Sequence, residues 1–501
     1  MALLCSPAYD YQRMVGAASK LDRDSEGKGM LELYDWQKAD VEKILRQKAG
    51  AIGSEMGTGK TLEAIQLMDQ WWEQHKQLPD LVVAPLNTFD GWLDKFQQMK
   101  PETDLVVIDR KNRGAFVSAL ERRASGRGGG DVFLCHWDAL RLMPELRKVQ
   151  FGTIVGDEAH RMANRKNQWT QAMKRLRCAH KLAMSGTLSG DKPQNLWSVF
   201  NWLWPSYYTS YWRFFEHYVD YEIQYPQGFK KQTGVKNIEA LHEEIAPWFV
   251  RHLKREQCCP AHPQGVMSWL PEKSYETIWV DLAPAQRRVY EEMRKKMVAW
   301  LGEQEDTPLL AQIAVVQMVR LQQMALAMPT MDGDTVLLDL PSSKADAIVE
   351  MIADHPEKKF VVATSSKKFA YLLADHMRNK KIDVPFVLSG DTKDRTDMVR
   401  RWGDGDSRTF IGVIAAMNEG IDGLQWYSDT MIFADRSWSA VQNKQCEDRL
   451  HRGGQENAVQ IIDIMARNTV DLGRHQKLEQ KWSWIRALLD GKVDQKTGKT
   501  A

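Results

Sequence analysis

The sequence is poor in the features that mark secreted, stapled or membrane-spanning chains. Only six cysteines occur in 501 residues, at 5, 135, 178, 258, 259 and 446, and none forms a CxxC pair. That excludes a disulfide framework and a zinc ribbon, and it fits a reducing compartment. Cys258 and Cys259 with His262 supply metal-type donors, but adjacent cysteines without a second pair rarely close a tetrahedral site, so their spacing argues against zinc. No run of about 18 apolar residues appears, which excludes a simple membrane-spanning helix. The opening MALLCSPAYDYQR has no basic stretch of the kind that begins a secretory signal. Excess charge of one sign is also missing: 68 basic and 66 acidic side chains leave a net +2. Such a balance neither supports nor excludes nucleic acid, because basic residues can gather on one face. The chain therefore reads as soluble, intracellular and cytoplasmic, with no membrane partner.

What is present is rhythm. Hydrophobic residues make up 43% and charged residues 27%, enough for sizeable cores and a soluble surface. Short apolar runs rich in β-branched residues recur at 49–54, 81–85, 105–109, 131–135, 153–157 and 182–185. They are nearly all apolar rather than alternating, as strands buried on both faces of a parallel sheet are. Segments 62–75 and 89–99 between them carry helical spacing, so the pattern predicts an α/β lobe. From about 194 to 327 the rhythm gives way to helices rich in tryptophan and arginine, with a loop at 225–235. It resumes at 360–364, 386–389, 410–415, 431–435 and 459–464. The expected organisation is an N-terminal extension (1–29), a first lobe (30–193), a helical insertion and linker (194–340), a second lobe (341–480) and a polar tail (481–501).

The strongest local signal is AIGSEMGTGKTLEAIQLM, residues 51–68. A buried strand runs into a glycine-rich turn, and Gly59-Lys60-Thr61 opens a helix. Glycines 57 and 59 let backbone N–H groups turn inward around phosphate oxygens, and the helix N-terminus adds positive dipole. Lys60 is placed for the β- and γ-phosphates of a nucleotide, and the Thr61 hydroxyl for its magnesium. Ser54 stands where the first glycine of the phosphate-loop pattern belongs; a small residue there still permits the turn. Ser54, Glu55, Met56, Gly57, Thr58, Gly59, Lys60 and Thr61 together form the candidate loop.

A later strand ends in TIVGDEAHRMAN. A carboxylate at that position is where nucleotide-bound magnesium needs a ligand, which suits Asp157. Glu158 is then the group to orient and polarise water. His160 lacks the His-x-x-x-His spacing that a metal would need. Positive charge opposite the γ-phosphate is offered by QNKQCEDRLHRGGQENAVQI, where Arg449 and Arg452 are three apart and share a helix face. By themselves these arginines read more simply as surface groups paired to Glu447 and Asp448.

Taken together, the motifs resemble helicases of superfamily 2, and most closely the Swi/Snf-type ATPases that include chromatin remodellers and annealing helicases. The resemblance covers roughly 30–475. LELYDWQKADVEKIL looks like the adenine-recognition element, which implies that Gln37 reads the base. LVVAPLNTFDGWLDKF places Pro85, Trp92 and Phe96 as the next motif does. KLAMSGTLSGDKPQNLW is similar to the motif that couples hydrolysis to DNA through Ser185, Gly186 and Thr187, with Leu188 where proline is usual. WFVRHLKREQ, LPEK at 270–273 and RLQQMALAMP resemble the block before the second lobe. SGDTKDRTDMVRRW resembles a DNA-contacting turn, with Ser389 and Gly390 at its head. QCEDRLHRGGQ implies finger roles for Arg449 and Arg452 and an anchoring role for Gln445. AAMNEGIDGLQW departs from the Swi/Snf form, and its Gly420, Ile421 and Asp422 look more like general superfamily 2.

The resemblance implies an α/β fold of two RecA-like parallel-sheet lobes joined by a helical insertion. It further implies ATP and Mg2+ as cofactors, DNA (duplex or branched) as partner, and 3′→5′ tracking along one strand of a duplex. A strand-separating DNA or RNA helicase and an inactive ATP-binding scaffold remain as alternatives. The tryptophans of 197–212 invite a base-stacking reading. Helical spacing of Trp197, Phe200 and Trp204 favours core instead. Arg251, Lys254 and Arg255 are better candidates for phosphate contact in this segment, with a solvated basic face as the equal alternative. So compact a motor suggests a bacterial or viral source.

Overall fold

The computed structural model describes residues 32–491 except 76–77, 127–129, 225–227, 304–308, 333–334 and 419. The expected N-terminal extension and the last ten residues of the tail lie outside the described residues.

After α1 (Asp35–Leu45), the apolar runs of the first half become β1 (Ala49–Ile52), β2 (Asp80–Ala84), β3 (Leu105–Ile108), β4 (Val132–His136), β5 (Gln150–Asp157) and β6 (Arg177–Met184). They pair in parallel in the order β3-β4-β2-β5-β6-β1. Successive side chains of one strand enter different cores: Leu81 and Val83 join one cluster, Val82 and Ala84 the other. Both faces are thus dry, which is why these strands carry no polar alternation. The covering helices include α2 (Lys60–Trp72) and α3 (Phe89–Met99), whose Trp71 and Trp92 are almost fully buried.

The segment expected to be a helical insertion is only partly helical. It contains α4 (Leu196–Leu203), α5 (Tyr211–Tyr218) and α6 (Ile238–Ile245), but also an antiparallel hairpin of β7 (Val219–Gln224) and β8 (Phe229–Val235) where a loop was expected. β9 (Phe249–Val250) then adds a parallel edge to β1 in the first sheet. β10 (Lys273–Val280) pairs along its whole length with a strand nearly two hundred residues later. These four strands escaped the sequence pattern for one reason. Each is an edge or a two-stranded ribbon, so its residues alternate with polar ones or are too few to form an apolar run. Trp197 and Phe200 are buried in the first core and Trp204 packs against it, as their helical spacing predicted.

Two long helices, α7 (Pro284–Glu303) and α8 (Leu309–Leu326), and a hairpin of β11 (Met328–Asp332) and β12 (Thr335–Asp339) precede α9 (Ser343–Asp354). The second sheet adds β13 (Phe360–Thr364), β14 (Phe386–Leu388), β15 (Thr409–Val413), β16 (Thr430–Phe433) and β17 (Val459–Ala466). Its order, β10-β17-β16-β13-β15-β14, is parallel throughout. The fold is α/β with two parallel-sheet lobes. Among the described residues no helix is long and apolar enough to cross a membrane.

After β17 the chain crosses back through α11 (Val470–Asp490), which contributes Leu478, Ile485, Leu488 and Leu489 to the first lobe's core; α10 (Ala440–Glu447), between β16 and β17, contributes Ala440 and Val441. The tail expected to be polar from residue 481 is therefore corrected as far as 490. Its Trp482-x-Trp484-Ile485 and Leu488-Leu489 are apolar groups with a partner lobe to cover them.

Candidate nucleotide site

One cleft of about 1190 Å³ separates the lobes and is lined from both sides. The first lobe contributes Met56, Gly57, Gly59, Lys60, Thr61, Asp157 and Glu158; the second contributes Gly420, Ile421, Asp422, Gln445, Arg449 and Arg452. A space of this size exceeds the roughly 300–1,000 Å³ of most ligand pockets, so a nucleotide fits with room for both lobes to approach it.

The loop between β1 and α2 turns as its glycines suggested. Gly57 and Gly59 sit at φ 82° and 84°, and a Cβ on Gly59 would lie 2.7 Å from the Gln37 amide. Lys60 Nζ donates to the carbonyls of Ser54 and Glu55, at 2.9 and 2.8 Å. Burial pulls its ammonium pKa down, with Glu158 and Asp157 opposing. Gln37 is fully buried behind the loop, where its amide donates to the Thr58 carbonyl at 3.1 Å and its Oε1 accepts from Tyr34 N. It shapes the loop and does not line the cleft. Ser54 is buried too, its hydroxyl accepting from His252 N at 3.1 Å, and Glu55 accepts from Lys254 N.

At the end of β5, Asp157 Oδ2 accepts from Trp92 Nε1 at 3.0 Å and Oδ1 from Glu158 N at 2.9 Å. Glu158 follows in the left-handed region, φ 51°, which turns its side chain away from the strand. Its Oε2 lies 3.0 Å from both the Ser185 hydroxyl and His160 Nδ1. Burial opposes the charge on both carboxyls. At Asp157 it prevails, with the neighbouring Glu158 adding to it, and the pKa rises. At Glu158 the His160 bond and charge, Lys60 and the Ser185 hydroxyl outweigh it, and the pKa falls. Glu158 therefore holds its charge the more firmly of the two, which suits it to hold a water. His160, which spacing left without a role, joins the acidic box to Ser185. Thr187 N donates to the same hydroxyl at 3.2 Å, and Gly186 backs onto Met56 of the phosphate loop.

In the second lobe, Arg449 donates to the carbonyls of Ile421 and Asn418 at 3.0 and 2.9 Å, and Arg452 pairs with Asp422 at 2.9 Å. They are not paired to Glu447 and Asp448. Glu447 instead holds Arg436 and Lys273, and Asp448 holds Lys254. The arginines face the phosphate loop closely, since a Cβ on Gly57 would meet Arg452 Cβ at 3.7 Å. Gly420 lies where the lobes touch. At φ 85° and with Asn87 Cβ only 1.9 Å from its missing Cβ, no side chain fits. Ser389 and Gly390 stand away from this lining, on the turn after β14, where Ser389 N donates to Thr392 Oγ1.

Arg251 and Lys254 correct the expectation that they contact nucleic-acid phosphates. Arg251 pairs with Asp490 and donates to the carbonyls of Gly53 and Gly186. Lys254, its side chain 2% exposed, reaches across the lobes to Asp448 and the His451 carbonyl. Burial holds its amine near a pKa of about 8. Arg255 donates to the Leu270 carbonyl. Arg251 and Lys254 are buried and occupied, and a buried charge that left its partner would face a desolvation cost of several kcal/mol. Basic groups that do line the cleft, beyond Lys60, Arg449 and Arg452, include Lys95, Arg161, Arg165, Lys166 and Lys192. No spacing in the sequence singles them out.

Thr61 and Asp157 face the same cleft, and a hydroxyl with a carboxylate is the hard-oxygen set that magnesium takes.

The family model of the SNF2-related domain matches residues 20–326. Similar curated proteins include an uncharacterized ATP-dependent helicase of Mycoplasma pneumoniae, 24% identical over 90% of this chain and 41% of that protein. Nuclear protein STH1/NPS1 of Saccharomyces cerevisiae is 23% identical over 89% of this chain and 33% of its own length. The chain thus spans well under half the length of these relatives. Among solved structures, the Sulfolobus solfataricus SWI2/SNF2 ATPase core in complex with dsDNA aligns over 92% of this chain and 93% of that one, at 18% identity and a TM-score of 0.40. With a family match over more than half its length, the chain belongs to the SNF2-related domain family.

Proposed function

We propose that the chain hydrolyses ATP between its lobes and uses the resulting opening and closing to move along duplex DNA. The observation that carries this reading is the single cleft lined by Lys60, Thr61, Asp157 and Glu158 from one lobe and by Gln445, Arg449 and Arg452 from the other. A site split in this way closes when ATP bridges it and loses those differential contacts after hydrolysis. Lys60 and the loop N–H groups hold the β- and γ-phosphates. Magnesium, held by Thr61 and Asp157, would neutralise phosphate charge. Glu158 orients the attacking water, and Arg452 meets charge at the γ-phosphate. Ser185, shared with Glu158 and His160, passes the state of the acidic box to Gly186 and Thr187. Family membership and the cleft-lining Arg161, Arg165, Lys166 and Lys192 support DNA as the track, held through phosphates and so independently of sequence.

The test is the rate of phosphate release with blunt duplex, single-stranded DNA, forked DNA and RNA. Duplex should stimulate at least as strongly as single strands, and Lys60→Ala should abolish the response. Glu158→Gln should lower turnover by about 10²–10⁴-fold with ATP still bound. Stimulation by single strands alone would replace this reading with strand separation. Phosphate release unaffected by Lys60→Ala would remove the assigned site altogether.

A further inference from the structure

We propose that His252, Cys258, Cys259 and His262 bind a structural zinc ion on the first lobe, beside α1. The spacing of Cys258, Cys259 and His262 argued against this, because a fourth ligand is not visible near them in sequence. The fold supplies it. His252 lies two residues beyond the end of β9, and the chain then loops back so that Cys259 and His262 close a tight bridge, His262 N donating to the Cys259 carbonyl at 3.0 Å.

The four candidate ligand atoms all lie within 4.8 Å of one another. His252 Nδ1 is 3.5 Å from Cys258 Sγ, and His262 Nδ1 is 3.1 Å from Cys259 Sγ. Bond lengths of about 2.0 Å to nitrogen and about 2.3 Å to sulfur place the corners of a tetrahedral site roughly 3.3–3.8 Å apart. The remaining gaps close with movements of about 1 Å, which the half-buried Cys258, Cys259 and His262 make by small χ rotations while buried His252 stays in place. Among the described residues no other cluster of this kind occurs.

Two further features separate this group from a chance meeting of thiols and imidazoles. The ring nitrogen of His252 that faces away from Cys258 is held by a buried carboxylate: Nε2 lies 2.9 Å from Asp40 Oδ2 and 3.1 Å from Oδ1. A ligating histidine normally gives its second nitrogen to such a partner, which fixes the tautomer and leaves the first free for the metal. The indole of Trp36 packs 4.7 Å from the same imidazole and shields it. Two thiolates and two imidazoles select zinc over magnesium or calcium, and four protein ligands leave no open position for catalysis. The ion would tie the loop after β9 to α1. That loop carries Lys254, which crosses to Asp448 in the second lobe.

The test uses the full chain without a histidine tag, purified reduced. About one zinc per chain should survive dialysis against a weak chelator. Cobalt exchanged into the site should give thiolate-to-metal charge-transfer bands and the visible bands of tetrahedral coordination. Cys259→Ser with His262→Ala should abolish retention. Asp40→Asn, at a positioning residue, should lower zinc affinity about 10–100-fold with the stoichiometry unchanged. A reduced chain that binds no added Zn2+, or a cobalt spectrum without thiolate bands, would overturn the proposal. If the double variant does not fold, the cobalt spectrum of the unaltered chain decides alone. None of these readouts involves ATP, so failure here leaves the proposed function untouched.

Discussion

Arg251 and Asp490 form an ion pair, Nε to Oδ1 at 2.7 Å, with side chains 9% and 4% exposed. Its consequence reaches the nucleotide site, because the other arm of the guanidinium donates to the carbonyls of Gly53, before the phosphate loop, and Gly186, in the coupling motif. The last residue of α11 therefore steadies two strand ends of the first lobe. Asp490→Ala leaves a buried guanidinium short of its counter-charge, a change that costs about 3–5 kcal/mol where nothing replaces it. The expected outcome is a fall of several degrees in the melting temperature together with weaker ATP binding. An unchanged melting temperature would show that the pair contributes nothing.

The two arginines of the second lobe are held differently and should fail differently. Arg452 is partly exposed and, among the described residues, paired only to Asp422, so Arg452→Ala should cost about 10³-fold in turnover with ATP affinity changed less than tenfold. Arg449 also satisfies two backbone carbonyls, so Arg449→Ala should add a stability loss of about 1–3 kcal/mol. Parallel measurements of turnover, nucleotide affinity and thermal melting separate the two. An equal stability loss in both variants would erase the distinction.

Ser185 is the sole residue bonded to both Glu158 and His160 among the described residues. Ser185→Ala removes about one hydrogen bond's worth, ~1 kcal/mol, so basal hydrolysis should fall about fivefold. Stimulation by duplex DNA should fall much further, since the link to Gly186 and Thr187 is cut. The comparison of basal with stimulated rates reads this directly, and a proportional fall in both would contradict it.

Asp80 offers a test by pH. Burial raises its pKa to about 8, with the bonds from Thr153 pulling the other way. In the unfolded chain it titrates near 4. Between these values folding takes up a proton, so stability falls as pH rises from about 4 to about 8 and stays lower above that. Asp80→Asn keeps an oxygen to accept from Thr153 N, at 2.6 Å, and cannot ionise. It should melt a few degrees above the parent at pH 8, with the difference vanishing towards pH 4. A constant difference across that range would mean that Asp80 is ionised throughout.

The division between legible and illegible features follows the range of the interactions. The sequence by itself determined the phosphate loop, because Gly57, Gly59, Lys60 and Thr61 act within one turn of backbone. It also determined the central strands, because a strand covered on both faces must be apolar throughout, and the placement of Asp157 and Glu158 at a strand end. Arg449 and Arg452 were legible as a pair, though not their partners. Only the tertiary structure decided that β9 and β10 are sheet edges, that α11 returns to the first lobe, and that Arg251 and Lys254 are occupied within the protein. It alone set His252 and Asp40 beside Cys258, Cys259 and His262. Each of these depends on residues brought together from distant parts of the chain or across an edge, where burial and charge pairing follow from packing that leaves no period in the sequence.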